Sequence, residues 1–233
     1  MSKYNVNTTS NKAALATWTL NQKQAKAAPS LINKLNPSHA TQQDAKVKPL
    51  HSDDAQRTQV EDFIKSIFKK HHGAELHHFA PSLLASFNQE NEVDAALGYR
   101  LAENEPLFLE NYLDQSIESL LSNYLGQTVY REAIPEISNL ASSDPESCKR
   151  LFAQTTENLH QQGVEWIVST GTAVMRVVHR RLGIKAHIIH DVDASRLGDD
   201  KYTWGNFYND DPKILLINVA QARKSLFKSL QQR

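Results

Sequence analysis

The chain has 233 residues, enough to bury one sizeable core with a segment left over. Its 26 basic and 26 acidic residues cancel, which excludes a global field steering it toward nucleic acid or an anionic bilayer. The single cysteine, Cys148, excludes an internal disulfide. Met1-Ser2-Lys3-Tyr4-Asn5 opens no apolar run of the secretory kind, and no window approaches the roughly twenty apolar residues of a spanning helix, so a reducing, cytoplasmic setting is expected.

Residues 1–54 are mostly Asn, Gln, Lys, Ala, Ser and Thr, interrupted by Pro29, Pro37 and Pro49. Such a composition buries too little apolar area to offset its ordering entropy, and predicts a mostly disordered tail. Ala13–Leu20 and Leu31–Leu35 are the stretches within it that could order against the domain or a partner.

Residues 55–233 read as one α/β domain. Val60, Phe63, Ile64, Ile67 and Phe68 share a helical face, and Gly73 stands where a C-cap belongs. Pro81–Phe87 and Val93–Arg100 flank the polar Gln89-Glu90-Asn91 and predict an antiparallel hairpin. Leu107–Leu113 is a third short strand or a turn, and Ile117–Leu125, closed by Gly126, is a helix. Val129–Leu140 is expected as the next strand. Ser142-Ser143-Asp144-Pro145-Glu146 supplies the cap, proline and acidic residue of a helix start, and that helix runs to about Gln162. Val164–Ser169, rich in β-branched and aromatic residues, completes a β-α-β unit with parallel strands. Thr172–Leu182 repeats the helix and Ile184–His190 the strand; after the polar stretch Arg196–Pro212, Ile214–Val219 is a strand and Gln221–Leu230 an amphipathic helix. The order predicts an antiparallel N-terminal half-sheet continued by a parallel central pair.

Several spaced segments carry a resemblance: Leu76–Ala85, Pro106–Leu113, Ile134–Ala141, and Arg196–Asp200 ahead of Trp204-Gly205-Asn206-Phe207-Tyr208. Together they resemble the bacterial thermostable hemolysin family over roughly Val60–Val219. That domain is similar to GNAT acyltransferases, and more closely to acyl-homoserine-lactone synthases and N-acyl amino acid synthases. The resemblance implies a GNAT-like mixed sheet whose cleft opens where the strands around Glu136 and Trp166 splay.

Those synthases carry a strand with a Glu-hydrophobic-Ser-Arg-hydrophobic pattern. Glu136-Ile137-Ser138-Asn139-Leu140 has the same layout with Asn139 in place of the arginine. Glu136 is thereby expected to be the general base, and the departure at Asn139 bears on the acyl acceptor. Ser142-Ser143-Asp144-Pro145 stands where acetyltransferases place a Gly-rich pyrophosphate loop, which favours an acyl carrier protein over coenzyme A as the donor. The implied reaction is direct attack of a small amine, such as an amino acid, on a fatty acyl thioester. The thioester would be a co-substrate, with no tightly bound cofactor.

That chemistry requires removal of an ammonium proton, a donor to the developing oxyanion and a dry channel for the acyl chain. A strand carboxylate desolvated in the cleft suits the first task, against the alternative of an edge glutamate in water. On a regular strand Arg131 points away from Glu136; it is either a solvated arginine or a clamp for a substrate carboxylate. Ser138, Asn139, Trp166, Ser169 and Thr170 are expected to bind substrate, Trp166 competing with a place in the core. His71, His72, His77, His78, His187 and His190 lack metal-ligand spacing, and no metal is expected. Cys148 has no partner base for an acyl-enzyme. Arg176, Arg180, Arg181 and Lys185 form a solvated helix face or a dock for an acidic carrier. The competing functions are a membrane-active lytic protein, for which peripheral membrane contact stays open, and a catalytically inactive binding module.

Overall fold

The computed structural model describes residues 46–231, in which seven strands form one sheet in the order β1-β2-β3-β4-β5-β7-β6. They are β1 (Lys46–Leu50), β2 (Ser82–Phe87), β3 (Val93–Leu101), β4 (Pro135–Ser142), β5 (Trp166–Gly171), β6 (Ala186–Asp191) and β7 (Lys213–Asn218). The α-helices among the described residues are α1 (Arg57–His72), α2 (Ile117–Leu125), α3 (Pro145–Gln161), α4 (Ala173–Arg181) and α5 (Val219–Gln231). The stretches Ala13–Leu20 and Leu31–Leu35 lie outside the described residues.

Helix boundaries fall where the sequence puts their caps. Gly73 and Gly126 close α1 and α2 in the left-handed conformation. Asp144 accepts the N–H groups of Glu146 and Ser147 with Pro145 in the first turn of α3. No helix among the described residues is long and apolar enough to cross a membrane.

Four places depart from the sequence reading. The sheet starts at Lys46, inside the segment 1–54 assigned to the tail. β1 is an edge strand paired antiparallel to Phe87–Leu83, a position that tolerates the missing N–H of Pro49, so its composition concealed it. Leu107–Leu113 is a 3-10 helix over Phe108–Tyr112. Residues 129–134 are not strand: Arg131–Ala133 form a 3-10 turn, and β4 begins only at Pro135. The polar stretch after Arg196 folds into 3-10 segments at Ala194–Trp204 and Phe207–Asp210.

Both sheet faces are covered. On one, Val60, Ile64 and Phe68 of α1 pack on Leu83, Ala85, Phe87, Ala96 and Ala141, joined by Trp204 and Phe207. On the other, Cys148, Phe152 and Ala153 of α3 meet Ala222 and Leu226 of α5 over Ile184 and Ile217. Each large side chain so buried contributes about 1.5–3 kcal/mol of transfer free energy, which fixes the strands' register and with it which side chains share a face.

β4 and β5 are the parallel pair that the β-α-β order predicts, and they touch only briefly. Glu136 pairs with Val168 and Ile137 with Ser169, and beyond those residues the ladder ends. A bulge adds to the divergence. Ala96 faces Ala141 while Gly98 faces Ser138, so Asn139 and Leu140 oppose the single residue between, and Asn139 takes a φ of 47°. Gly98 makes room for this bulge, since a Cβ there would lie 2.7 Å from Ser138 Oγ and 2.9 Å from Ala80 Cβ.

Candidate active site

The splay between β4 and β5 is where the resemblance expects a cleft, and alternation along the strands decides which side chains share a face there. Glu136 and Ser138 lie on the face that carries α1; their register partners place Trp166, Val168 and Thr170 on that same face. Ser169 pairs with Ile137 and Leu215 and points to the opposite face. Of the residues singled out from sequence, Glu136, Ser138, Trp166 and Thr170 are therefore brought to one side of the cleft.

Glu136 is 1% exposed. Its Oε2 accepts the Phe108 N–H at 2.7 Å and its Oε1 the Leu109 N–H at 3.0 Å, so the carboxylate caps the 3-10 helix 108–112. Burial pushes the carboxyl up to about 7; the two backbone N–H groups and the Arg100 guanidinium on the adjacent strand pull it back, and Glu110 pushes in the same direction as burial. The net effect holds the carboxyl well above the usual carboxylate range, next to the point where β4 and β5 part.

Arg131 occupies a different place from the one expected. Because residues 131–133 form a turn, strand parity does not govern it. Its Nη1 and Nη2 donate to the two oxygens of Glu110, both at 2.7 Å, and Nη1 also donates to Glu118 at 2.8 Å. Nε reaches Ala102 O at 2.7 Å and Nη2 reaches Glu105 O at 3.4 Å. A substrate carboxylate would have to displace these partners. Burial raises the Glu110 carboxyl, but Arg131 and the N–H groups of Ile117 and Leu107 outweigh it and hold it below the usual carboxylate range.

Asn139 is also committed within the chain. Its Oδ1 accepts the Ala80 N–H at 3.3 Å and the Ser138 hydroxyl at 3.2 Å, and its Nδ2 donates to His78 O at 3.5 Å. The amide thus staples the segment before β2 to the bulge. His77 and His78 are both exposed there, and among the described residues no group of three or more His, Cys, Asp or Glu could hold a metal ion. Cys148 is buried beneath α3, where desolvation pushes its thiol up to about 11.

Three further features border the site. Arg100, the register partner of Glu136, donates to Pro106 O at 3.2 Å and sits 3.5 Å from Glu105; its buried Nε has no hydrogen-bond partner among the described residues. Tyr112 shares a 2.7 Å hydrogen bond with Tyr208, and burial drives the Tyr112 phenol far up, with the Tyr208 hydroxyl and Glu136 adding to the shift. Thr170 Oγ1 is buried without a hydrogen-bond partner among the described residues. The sequence held a signal for the first of these, an arginine six residues ahead of Pro106 at the end of a hairpin strand, but nothing in it announced that Arg100 would face Glu136 across a ladder.

At the end of β4, Asp144 seals the start of α3. Its Oδ1 takes the N–H groups of Glu146 and Ser147 at 2.8 and 3.0 Å, and its Oδ2 takes the hydroxyls of Ser143 and Ser147. These bonds, led by that from the Ser147 hydroxyl, hold its carboxyl down to about 2.

The family model described as thermostable hemolysin matches residues 50–223. No curated protein matches the chain. Among solved structures, the fold is shared with TofI in an apo form at a TM-score of 0.56 and 15% identity, covering 78% of this chain and 96% of that one. The AHL synthase LasI aligns at a TM-score of 0.54 and 11% identity over 79% of this chain and 96% of its own. FeeM, an N-acyl amino acid synthase from uncultured soil microbes, aligns at 0.54 and 10% identity over 81% and 97%.

Proposed function

The chain belongs to the thermostable hemolysin family, and from that premise we propose that it is an N-acyltransferase that moves a fatty acyl group from a thioester to an amine by direct attack. The observation that carries the proposal is Glu136: a wholly buried carboxyl that exchanges its proton near pH 7, beside the point where β4 and β5 part. A catalytic base works best when it titrates near the operating pH. Past Ile137 the edge of β4 that faces β5 has no ladder partner among the described residues, so its peptide groups would be the ones to hold a thioester arm and to donate to a developing oxyanion.

Glu136 would accept the ammonium proton, the freed amine would attack the thioester carbonyl, and collapse of the tetrahedral intermediate would expel the thiolate, which takes the second proton from the amine nitrogen and leaves as the free thiol. No covalent acyl-enzyme is required, in keeping with the depth and raised thiol of Cys148. Arg100 suits the acceptor's carboxylate better than Arg131 does, because its guanidinium is only loosely used and stands across the ladder from the base. An amino acid would then place its amine toward Glu136 and its carboxylate toward Arg100. FeeM, an N-acyl amino acid synthase of like fold, supports this class of acceptor.

On the donor side, the amides that would hold a diphosphate at the start of α3 are already taken by an ionised Asp144. That favours an acyl group delivered by an acyl carrier protein over one on coenzyme A, and it leaves the basic residues of α4 as the surface to which an acidic carrier would come. The test is mass spectrometry of lipid extracts from cells producing the wild type or Glu136→Gln. An acylated amino acid present only with the wild type is the expected result. Extracts that both match those of empty cells would favour an inactive binding module.

A further inference from the structure

We infer that Arg131 is a positioning residue for Glu136: acting through Glu110 and the 3-10 helix 108–112, it keeps the amides of Phe108 and Leu109 on the Glu136 carboxylate and sets how readily that carboxyl gives up its proton. The consequence for catalysis rests on the reading of Glu136 as base; the control of its titration does not.

The connection can be followed bond by bond. The only hydrogen bonds to the Glu136 carboxylate among the described residues come from two consecutive backbone amides. Those amides stay in place only if the 107–113 segment does. Glu110 anchors that segment from inside, its Oε2 accepting the Leu107 N–H at 2.8 Å and its Oε1 the Ile117 N–H at 2.9 Å, which ties the turn to the start of α2. Glu110 is in turn gripped by both terminal nitrogens of Arg131. Arg131 also joins Ala102 and Glu105 at the end of β3 to Glu118 on α2, and it sits four residues before the start of β4. A planar guanidinium can make five such bonds at once; an ammonium cannot.

Among the described residues, the charged and titratable groups that act on Glu136 are Arg100 from β3 and Glu110 and Tyr112 from the turn. Loss of Arg131 acts on this set in one direction. Glu110 becomes an unneutralised anion, whose repulsion disfavours a second carboxylate nearby. A loosened turn also withdraws the amide donors that favour the ionised form of Glu136. Both effects make Glu136 hold its proton to higher pH.

The measurement is carbon NMR of protein labelled with δ-13C glutamate, the Glu136 signal being identified by its absence in Glu136→Gln, together with hydrogen exchange at the Phe108 and Leu109 amides. Arg131→Lys keeps a positive charge and loses the fork; Arg131→Met loses both. The inflection of Glu136, near 7 in the wild type, is expected to rise by about 0.5 pH unit in the lysine variant and by about 1 in the methionine variant. The two amides are expected to exchange roughly tenfold faster in the lysine variant. Should Arg131→Lys, with an otherwise unchanged amide spectrum, leave both the inflection and the two exchange rates at wild-type values, Arg131 merely braces the fold and the inference fails. The lysine variant decides the matter even if Arg131→Met does not fold. A shifted inflection alongside full turnover in Glu136→Gln would instead remove the base reading and leave the positioning intact.

Discussion

Two segments lie over the face of the sheet that bears Glu136, and they differ in what is added to their buried side chains. Residues 102–118 bury Leu107, Leu109 and Ile117 and add an ionic anchor: Arg131 collects Glu110 and Glu118 and two backbone carbonyls. Residues 194–210 are fastened mainly by rings, with Arg196 reaching Asp114 and Leu113 O at one end. Trp204 packs at 5.4 Å centroid separation against both Phe108 and Phe207, and Phe207 packs edge-on to His72 at 5.4 Å. An ionic strap responds to pH and salt, whereas an aromatic one responds mainly to shape. The base is held by the ionic strap, so the molecule puts its titratable chemistry where electrostatics can tune it and leaves the neighbouring wall to packing.

The aromatic strap should break most severely at its tightest point. Gly205 adopts φ 58° and ψ −126°, and a Cβ there would lie 2.0 Å from His72 O, the acceptor of the Asn206 N–H. Neither the backbone of α1 nor a left-handed L-residue can yield that distance. Gly205→Ala is expected to cost about 4 kcal/mol or more, read as a fall in the urea midpoint. A loss below about 1 kcal/mol would mean that the two segments can slide apart, and that shape is not what fastens them.

The ionic side is probed by pH. Glu136 carries a folded-state value raised from 4.5 to about 7, so between those values the folded chain binds more protons than the unfolded one. The stability it contributes is complete below about 4.5 and is lost as pH rises through about 7. Replacing it with glutamine removes that dependence. The stability of the wild type relative to Glu136→Gln is therefore expected to fall by about 3 kcal/mol between pH 4.5 and 8. Parallel stability curves for the two proteins across that window would show that Glu136 ionises normally and that its burial is relieved in solution.

The same contrast explains what could be read in the sequence. Apolar periodicity and caps located α1, the hairpin β2–β3, α2, α3 and the parallel pair, because each is decided by residues close in the chain. Glu136 was legible as a carboxylate on a central strand. The role of Arg131 was not: it depends on a turn at 131–133 where the residues suggested continuous strand, and on partners at 102, 105, 110 and 118 that only the tertiary fold assembles. Glu110, three residues after Leu107, was in hindsight a helix-start signal of the kind that places an acidic side chain on an N-terminal amide. Asn139 looked like a defect in a substrate-binding pattern. Its left-handed backbone and its three hydrogen bonds give it a purpose in the bulge that no strand register could foretell.

The smallest expected effect sharpens the comparison furthest. The Arg131 cluster is partly exposed, with side-chain accessibilities of 27% for Arg131, 14% for Glu110 and 32% for Glu118. Salt therefore reaches it, and at 1 M the screening length falls to about 3 Å. Partly exposed pairs of this kind are worth about 0.5 kcal/mol each, so 1 M sodium chloride should speed exchange of the Phe108 and Leu109 amides by about twofold to threefold. The amides of Gly205 and Asn206, bonded to Tyr202 O and His72 O within the aromatic strap, should not respond. Equal acceleration at all four amides would indicate that the straps open together as one unit, through the contacts they share: the Tyr112–Tyr208 hydrogen bond, the Phe108–Trp204 ring contact and the Arg196–Asp114 pair. A response confined to 108 and 109 would show that the base's own support can loosen while the rest of the wall stays closed, which is the independence that tuning one carboxyl requires.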